Sequence, residues 1–196
     1  MGENETVTVP FPLEIVTDRL ILRSPELSHA EPMYEAKQES IPELRQWMPW
    51  AREETDIEKG KENIRKAIDE FKAQTAFWIL LFDRKTGQLV GSSGYPRVNL
   101  SVPKVEIGYW LRTSRTGEGL CTEAVIAQTQ YAFETLHVQR VEIRCDDNNE
   151  RSWRVAQRTG FTLEGILRRD CLDLDGRPRN TRVYSMLPEE WESGSR

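Results

Sequence analysis

Residues 112–122 read RTSRTGEGLCT, two arginines and two glycines running directly into apolar residues at helical spacing. The first turn of a helix leaves N–H groups unpaired at the positive end of its dipole, and glycine lets the backbone approach a ligand closely, so this stretch suits an anion such as a phosphate. Arg112 and Arg115 could add charge-assisted contacts. The letters exclude two familiar phosphate loops: no Gly-Lys-Ser/Thr occurs here, and Thr122 stands where a dinucleotide fingerprint would carry its third glycine. Read alone, RTGEG is equally a flexible strand-to-helix turn.

Asn149 and Ser152 form a second constellation. Three residues apart, they fall on one side of the first turn of a helix and can share a ligand. The plainer reading is that Asn149 only caps that helix and Ser152 only occupies its first turn. Neither His29 nor His137 is spaced with cysteines or carboxylates as metal ligands are, so no metal is expected. Cys121, Cys145 and Cys171 are an odd number at wide intervals, neither a disulfide framework nor a zinc pattern, which fits a reducing cytoplasm.

Several elements must position these residues. TDRLILRS, residues 17–24, alternates as a first strand after an N-terminal arm, residues 1–16, expected to be loosely held. Ser28 is a plausible N-cap for a helix that follows, and a second helix is expected over 56–72. Strands are expected at 76–82, 88–95 and 104–111, three in succession, which predicts an antiparallel meander opened by a hairpin. Helical spacing over 120–136, a strand at 139–144 and a helix at 149–159 follow, with Gly160 and Phe161 as a Schellman-like stop. Strands at 161–173 and 181–187 complete the pattern. The class is α+β, helices packed on a mixed, mainly antiparallel sheet, in one domain over 17–191 with a short tail at 192–196.

At 196 residues the chain suffices for one domain with a sizeable core. Hydrophobic residues make up 38%, and no apolar run approaches the roughly 20 residues of a membrane span, so no membrane partner is expected. The acidic, polar start of the chain does not read as a secretory signal. A formal net charge of -5 argues against a nucleic-acid partner, since phosphate neutralisation needs a basic face. It also favours encounter with cationic partners such as amines.

With its strand, loop and helix, the 112–122 segment resembles the phosphate loop of the GNAT superfamily of N-acetyltransferases, Gln/Arg-x-x-Gly-x-Gly/Ala, in the frame 114–119. Ser114 replaces the usual Gln or Arg, which removes one side-chain contact and leaves the backbone cradle. NNERSWRVAQRTGFTLEGILR, beginning at Asn148, is similar to the RimJ/RimL ribosomal-protein acetyltransferase branch, as are TDRLILR, RQWMPWA, EIGYWL, GLCTEA and RVYSML. The resemblance spans roughly residues 17–191 and implies the GNAT acyl-CoA N-acyltransferase fold. Acetyl-CoA is the cosubstrate it implies. Contacts would come from Trp110 and Leu111 at the strand end, from Arg112 and Arg115, and from Thr116, Gly117, Glu118, Gly119, Leu120 and Thr122. Asn149 would touch the pantetheine arm, and Ser152 would lie near the sulfur. The backbone of 108–111 would offer N–H groups to the acetyl oxygen. Trp47 and Trp50 would line the acceptor side, core packing being the alternative for each.

Acetyl transfer needs a neutral amine, a polarised thioester carbonyl and a stabilised thiolate. Neutralising an α-amine of pKa about 8 at pH 7 costs roughly 1.4 kcal/mol, and a lysine of pKa about 10.4 roughly 4.6. An α-amine therefore needs only water-mediated proton loss to a carboxylate. Serine is a poor base but a reasonable donor to a departing thiolate, which is the role expected of Ser152. For the base, Glu106 and Asp170 are the candidates: Glu106 if its strand faces the cleft, Asp170 because it flanks Cys171, which stands where some branch members carry a carboxylate. The leading expectation is acetylation of a protein or peptide N-terminus. A small-molecule amine (amino acid, polyamine or antibiotic) is the alternative acceptor, and a non-catalytic CoA-sensing module is a third reading. A homodimer is compatible with the chain, although no residue pattern specifies one.

Overall fold

The computed structural model describes residues 8–53, 56–99 and 101–194. In chain order the elements are β1 (Glu14–Val16), β2 (Leu20–Arg23), α1 (Ala30–Leu44), α2 (Ile57–Lys72), β3 (Phe77–Asp83), β4 (Leu89–Asn99), β5 (Lys104–Leu111), α3 (Leu120–Glu134), β6 (Arg140–Asp146), α4 (Glu150–Arg158), β7 (Thr162–Leu172), β8 (Pro178–Met186) and α5 (Pro188–Gly194). The strands form one sheet in the order β1-β2-β3-β4-β5-β6-β8-β7. Every neighbouring pair is antiparallel except β5 and β6, which are parallel.

Alternation along the strands sorts two cores onto the two faces. Ile79, Leu81, Val90, Ile107 and Ile143 pack with Leu120, Ala124 and Val155 of α3 and α4. Leu80, Phe82 and Leu89 point the other way and meet Ala30, Met33 and Ala36 of α1 and Ile64 of α2. The sheet is thus sandwiched, with α1 and α2 on one face and α3 and α4 on the other. The meander of β3, β4 and β5 is as the apolar runs indicate.

Local chemistry explains most boundaries. Asp56 caps α2 by accepting from the Lys59 N–H at 2.7 Å. At the end of α4, Phe161 N–H bonds Ala156 O and Gly160 N–H bonds Gln157 O, the paired bonds of a Schellman stop. Ser28 does not cap α1: residues Leu27–His29 form a short 3-10 turn, and Glu26 and His29 cap it reciprocally, with Glu26 N–H donating to His29 Nδ1 at 3.0 Å. His29 is therefore structural, its ring also lying 4.9 Å from that of Phe82.

The N-terminal arm departs from expectation wherever it is described. Val9 and Leu13 are buried in the main core, and Gln74 clamps Val9 through both its backbone N–H and its carbonyl. Residues 1–7 of the arm and 195–196 of the tail lie outside the described residues. β1 is three residues long, too short to show alternation, and escapes a reading by periodicity.

Candidate active site

β5 and β6 pair only at Lys104 with Arg140, Val105 with Val141 and Glu106 with Glu142. Beyond Glu106, β5 stays on β4, with Gly108 opposite Gly94 and Leu111 opposite Gly91, and parts from β6. A register irregularity between Gly94 and Arg97 of β4 sits opposite the point of parting, where an extra residue bends a strand and strengthens its twist. Gly94 is required there: its φ is +135° and an added Cβ would run into Phe77 O.

The gap opens into a cavity of about 260 Å³. Consecutive residues of both parted strands line it, Ile107 to Tyr109 and Ile143 to Asp146, so it passes through the sheet rather than lying on one face. On the α3/α4 side it meets Asn149, the N-cap of α4, and Ser152 in the first turn of that helix. On the α1/α2 side it is walled by Gln46 to Pro49, between the two helices, and by Asp173 and Arg179.

Ser152 is brought to this gap by Asn149, whose side chain accepts from Ser152 N–H at 3.2 Å and so caps α4. The capping reading of Asn149 is thus realised, and Asn149 lines the cavity as well. Tyr109 donates its hydroxyl to Ser152 O at 2.9 Å and accepts from Ser152 Oγ at 3.3 Å. Burial pushes the Tyr109 phenol well above its ordinary range and the Cys145 thiol up to about 11, so both stay protonated at neutral pH.

The 112–119 loop is anchored to α1. Thr113 N–H bonds Ser40 Oγ at 3.1 Å, Ser114 N–H bonds Glu39 Oε1 at 2.8 Å, and Thr113 Oγ1 donates to Glu43 at 3.0 Å. Gly119, at φ +79°, serves as N-cap of α3 without a side chain to offer. Among the described residues, the N–H groups from Gly117 to Thr122 find no acceptor in the protein. These are the orphan donors that a helix start leaves, a donor set of the kind that binds anions.

The two arginines of the loop have other partners. Arg115 binds Asp83 at 2.8 Å and Glu118 at 2.9 Å, and its guanidinium, with the Thr86 N–H, holds the Asp83 carboxyl well below the usual range. Arg112 is 8% exposed, with Nε 3.5 Å from Glu39. Both fix the loop to the body of the protein instead of presenting a free cation. Glu118 offers its carbonyl to Arg19 at 2.7 Å, and Arg19 in turn binds Glu123 in the first turn of α3.

The remaining expectations divide. Trp47 lines the cavity, whereas Trp50 packs on Trp110, ring centroids 5.3 Å apart, with Lys37 Nζ 4.8 Å over its ring. The Trp110 side chain therefore belongs to the α1 face. Glu106 faces the α1/α2 side but pairs with Arg97 at 2.9 Å in an adjoining cleft with Lys104 and Glu142. Burial raises its carboxyl above the ordinary value. Asp170 does not line the cavity: it accepts from Arg144 at 3.0 Å, and Arg144 lines both spaces. The sequence reading missed the side chain of Tyr109 and the residues Arg144, Cys145, Asp146 and Arg179. Alternation along β6 places Arg144 and Asp146 on one face and Cys145 on the other, but nothing local announces that β6 borders a gap.

The site is thus a sheet parted between its two parallel strands, with a cavity through the parting and a run of unpaired N–H groups at the start of α3. The acetyltransferase (GNAT) domain family matches residues 19–162, and the chain belongs to that family of N-acetyltransferases. It is 31% identical over 182 residues, 90% of this chain and 96% of the relative, to YdaF of Bacillus subtilis (strain 168), provisionally named a ribosomal N-acetyltransferase. It is 27% identical over 153 residues to the ribosomal-protein-serine acetyltransferase of Escherichia coli (strain K12), covering 78% of this chain and 84% of that one. A solved structure of RimL, a ribosomal alpha-N-protein acetyltransferase in complex with coenzyme A, superposes with a TM-score of 0.80 at 25% identity over 88% of this chain and 96% of that chain. No helix among the described residues is long and apolar enough to cross a membrane.

Proposed function

We propose that this protein transfers acetyl directly from acetyl-CoA to the N-terminal α-amine of a protein or peptide. The observation that carries the reading is the cavity that crosses the sheet at the β5/β6 gap, with Ser152 on one side and Trp47 on the other. The outward N–H groups from Gly117 to Thr122 fit the pyrophosphate of the donor, and the β5 backbone beyond Glu106, which β6 leaves unpaired, fits the pantetheine amides and the thioester oxygen. Asn149 and Ser152 flank the path of the thioester. The Escherichia coli relative is by name a ribosomal-protein-serine acetyltransferase and RimL an alpha-N-protein acetyltransferase, which favours a protein terminus as acceptor here.

In this reading the cradle and gap fix the thioester, and the acceptor amine enters between Trp47 and the β6 wall. Ser152, its carbonyl held by the Tyr109 hydroxyl, turns its own hydroxyl from Tyr109 to donate a hydrogen bond to sulfur as the C–S bond breaks. Binding both reactants in one through-sheet passage supplies orientation, and the buried donors supply charge stabilisation. The test is release of free thiol from acetyl-CoA with a panel of N-terminal peptides and small amines. Peptide-dependent release is expected, with Ser152→Ala lowering kcat on the order of tenfold or more while leaving acetyl-CoA affinity unchanged. Release with small amines alone would reassign the acceptor, and tight acetyl-CoA binding without turnover on any acceptor would leave only a CoA-sensing role.

A further inference from the structure

The carboxylates that stand out in the sequence are committed elsewhere, Glu106 to Arg97 and Asp170 to Arg144. Asp146 is placed differently. It ends β6 on the α1/α2 side of the gap and lines the same cavity as Gly108, Cys145 and Ser152. Its side chain is 13% exposed. Oδ1 accepts from Asn148 N–H at 2.8 Å, and Oδ2 lies 3.4 Å from Arg179 Nη1, beyond the 2.7–2.9 Å of a firm charged hydrogen bond. A carboxylate has about four lone-pair sites, so Asp146 keeps capacity for a further partner. The cavity's other carboxylate, Asp173, already accepts from the N–H groups of Asp175 and Arg177, which hold it below the usual carboxylate range.

We infer that Asp146 is the proton acceptor for the incoming ammonium, an assignment that rests on the N-terminal amine reading above. The proton passes from the ammonium to the Asp146 carboxylate, directly or through one water, and then to solvent. The freed lone pair attacks the thioester carbon, the C–N bond forms and the C–S bond breaks. The second nitrogen proton ends on the departing sulfur, giving amide and free thiol. Asn148 and Arg179 position the carboxylate, and Asn149, whose N–H bonds Asp146 O at 2.9 Å, links it to the helix that carries Ser152. The charged and titratable groups around it are Arg179 of β8, Arg144 and Cys145 of its own strand and Asp173 of the β7–β8 turn, with the Asp147–Arg182 pair beside it.

Asp146→Asn keeps an oxygen acceptor for Asn148 N–H and removes the base together with the negative charge that faces Arg179. The kcat/KM for a peptide acceptor should be measured between pH 6 and 9.5 in the wild type, Asp146→Asn, Asp146→Glu and Glu106→Gln, with acetyl-CoA affinity read by calorimetry. An amine of pKa about 8 is roughly one-tenth neutral at pH 7, so Asp146→Asn should lose about tenfold there and approach the wild type above pH 9, where solvent removes the proton. Asp146→Glu should keep the wild-type profile, and acetyl-CoA affinity should not change. A loss independent of pH, no loss, weakened acetyl-CoA binding in Asp146→Asn, or the pH-dependent loss appearing in Glu106→Gln instead would each overturn the assignment while acetyl transfer stands. A wild-type protein that releases no thiol with any acceptor would remove the transfer reading, and this assignment with it.

Discussion

Two tryptophans three residues apart meet different fates because the chain turns between them. Trp47 precedes the 3-10 turn Pro49–Arg52 and faces the gap, while Trp50 lies inside that turn and is carried onto Trp110 and Lys37. Trp47→Ala is therefore expected to raise KM for the acceptor several-fold with acetyl-CoA affinity and thermal stability near wild type. Trp50→Ala should instead lower stability by roughly 1 to 2 kcal/mol, the worth of an aromatic pair and a cation–π contact. Steady-state kinetics and urea unfolding on the two variants separate these outcomes, and a reversed pattern would exchange their roles.

At the scale of elements, the side chains of the loop before α3 are spent on holding it, and the N–H groups from Gly117 to Thr122 stay unpaired. Arg115, Arg112 and the α1 residues Ser40, Glu39 and Glu43 tie the loop down. Gly119 then turns the chain into α3 in a left-handed conformation that costs a side-chain-bearing residue about 1 to 2 kcal/mol. Gly119→Ala should reduce stability by about that amount and weaken acetyl-CoA binding, measured by calorimetry on the folded variant. Unchanged affinity would mean that the cradle does not hold the donor.

Over the whole molecule, one core ties the site's two halves to the rest of the sheet. Phe11, Phe71, Phe77 and Tyr95 form a chain of ring contacts with centroids 5.3, 5.0 and 6.4 Å apart, linking the N-terminal segment, α2, β3 and β4. Phe71 is fully buried, and Phe71→Ala should cost about 3 to 5 kcal/mol, read from the urea midpoint at constant m. A much smaller loss would show that α2 relaxes into the space.

The sequence by itself determined the elements whose signals are local. The 3.6 and 2 periodicities gave the long helices and strands, the Gly-rich turn gave the start of α3, and the Asn149 cap gave the orientation of Ser152, because each depends on residues a few positions apart. Only the tertiary structure decided how the loop arginines are committed, which tryptophan faces the gap and which carboxylate lines it. Arg115 is committed to Asp83, 32 residues away, and Asp146 gains its place from the parting of β5 and β6. Side chains reach such partners only when the sheet is assembled, and neither composition nor spacing encodes a contact between strands that are distant along the chain.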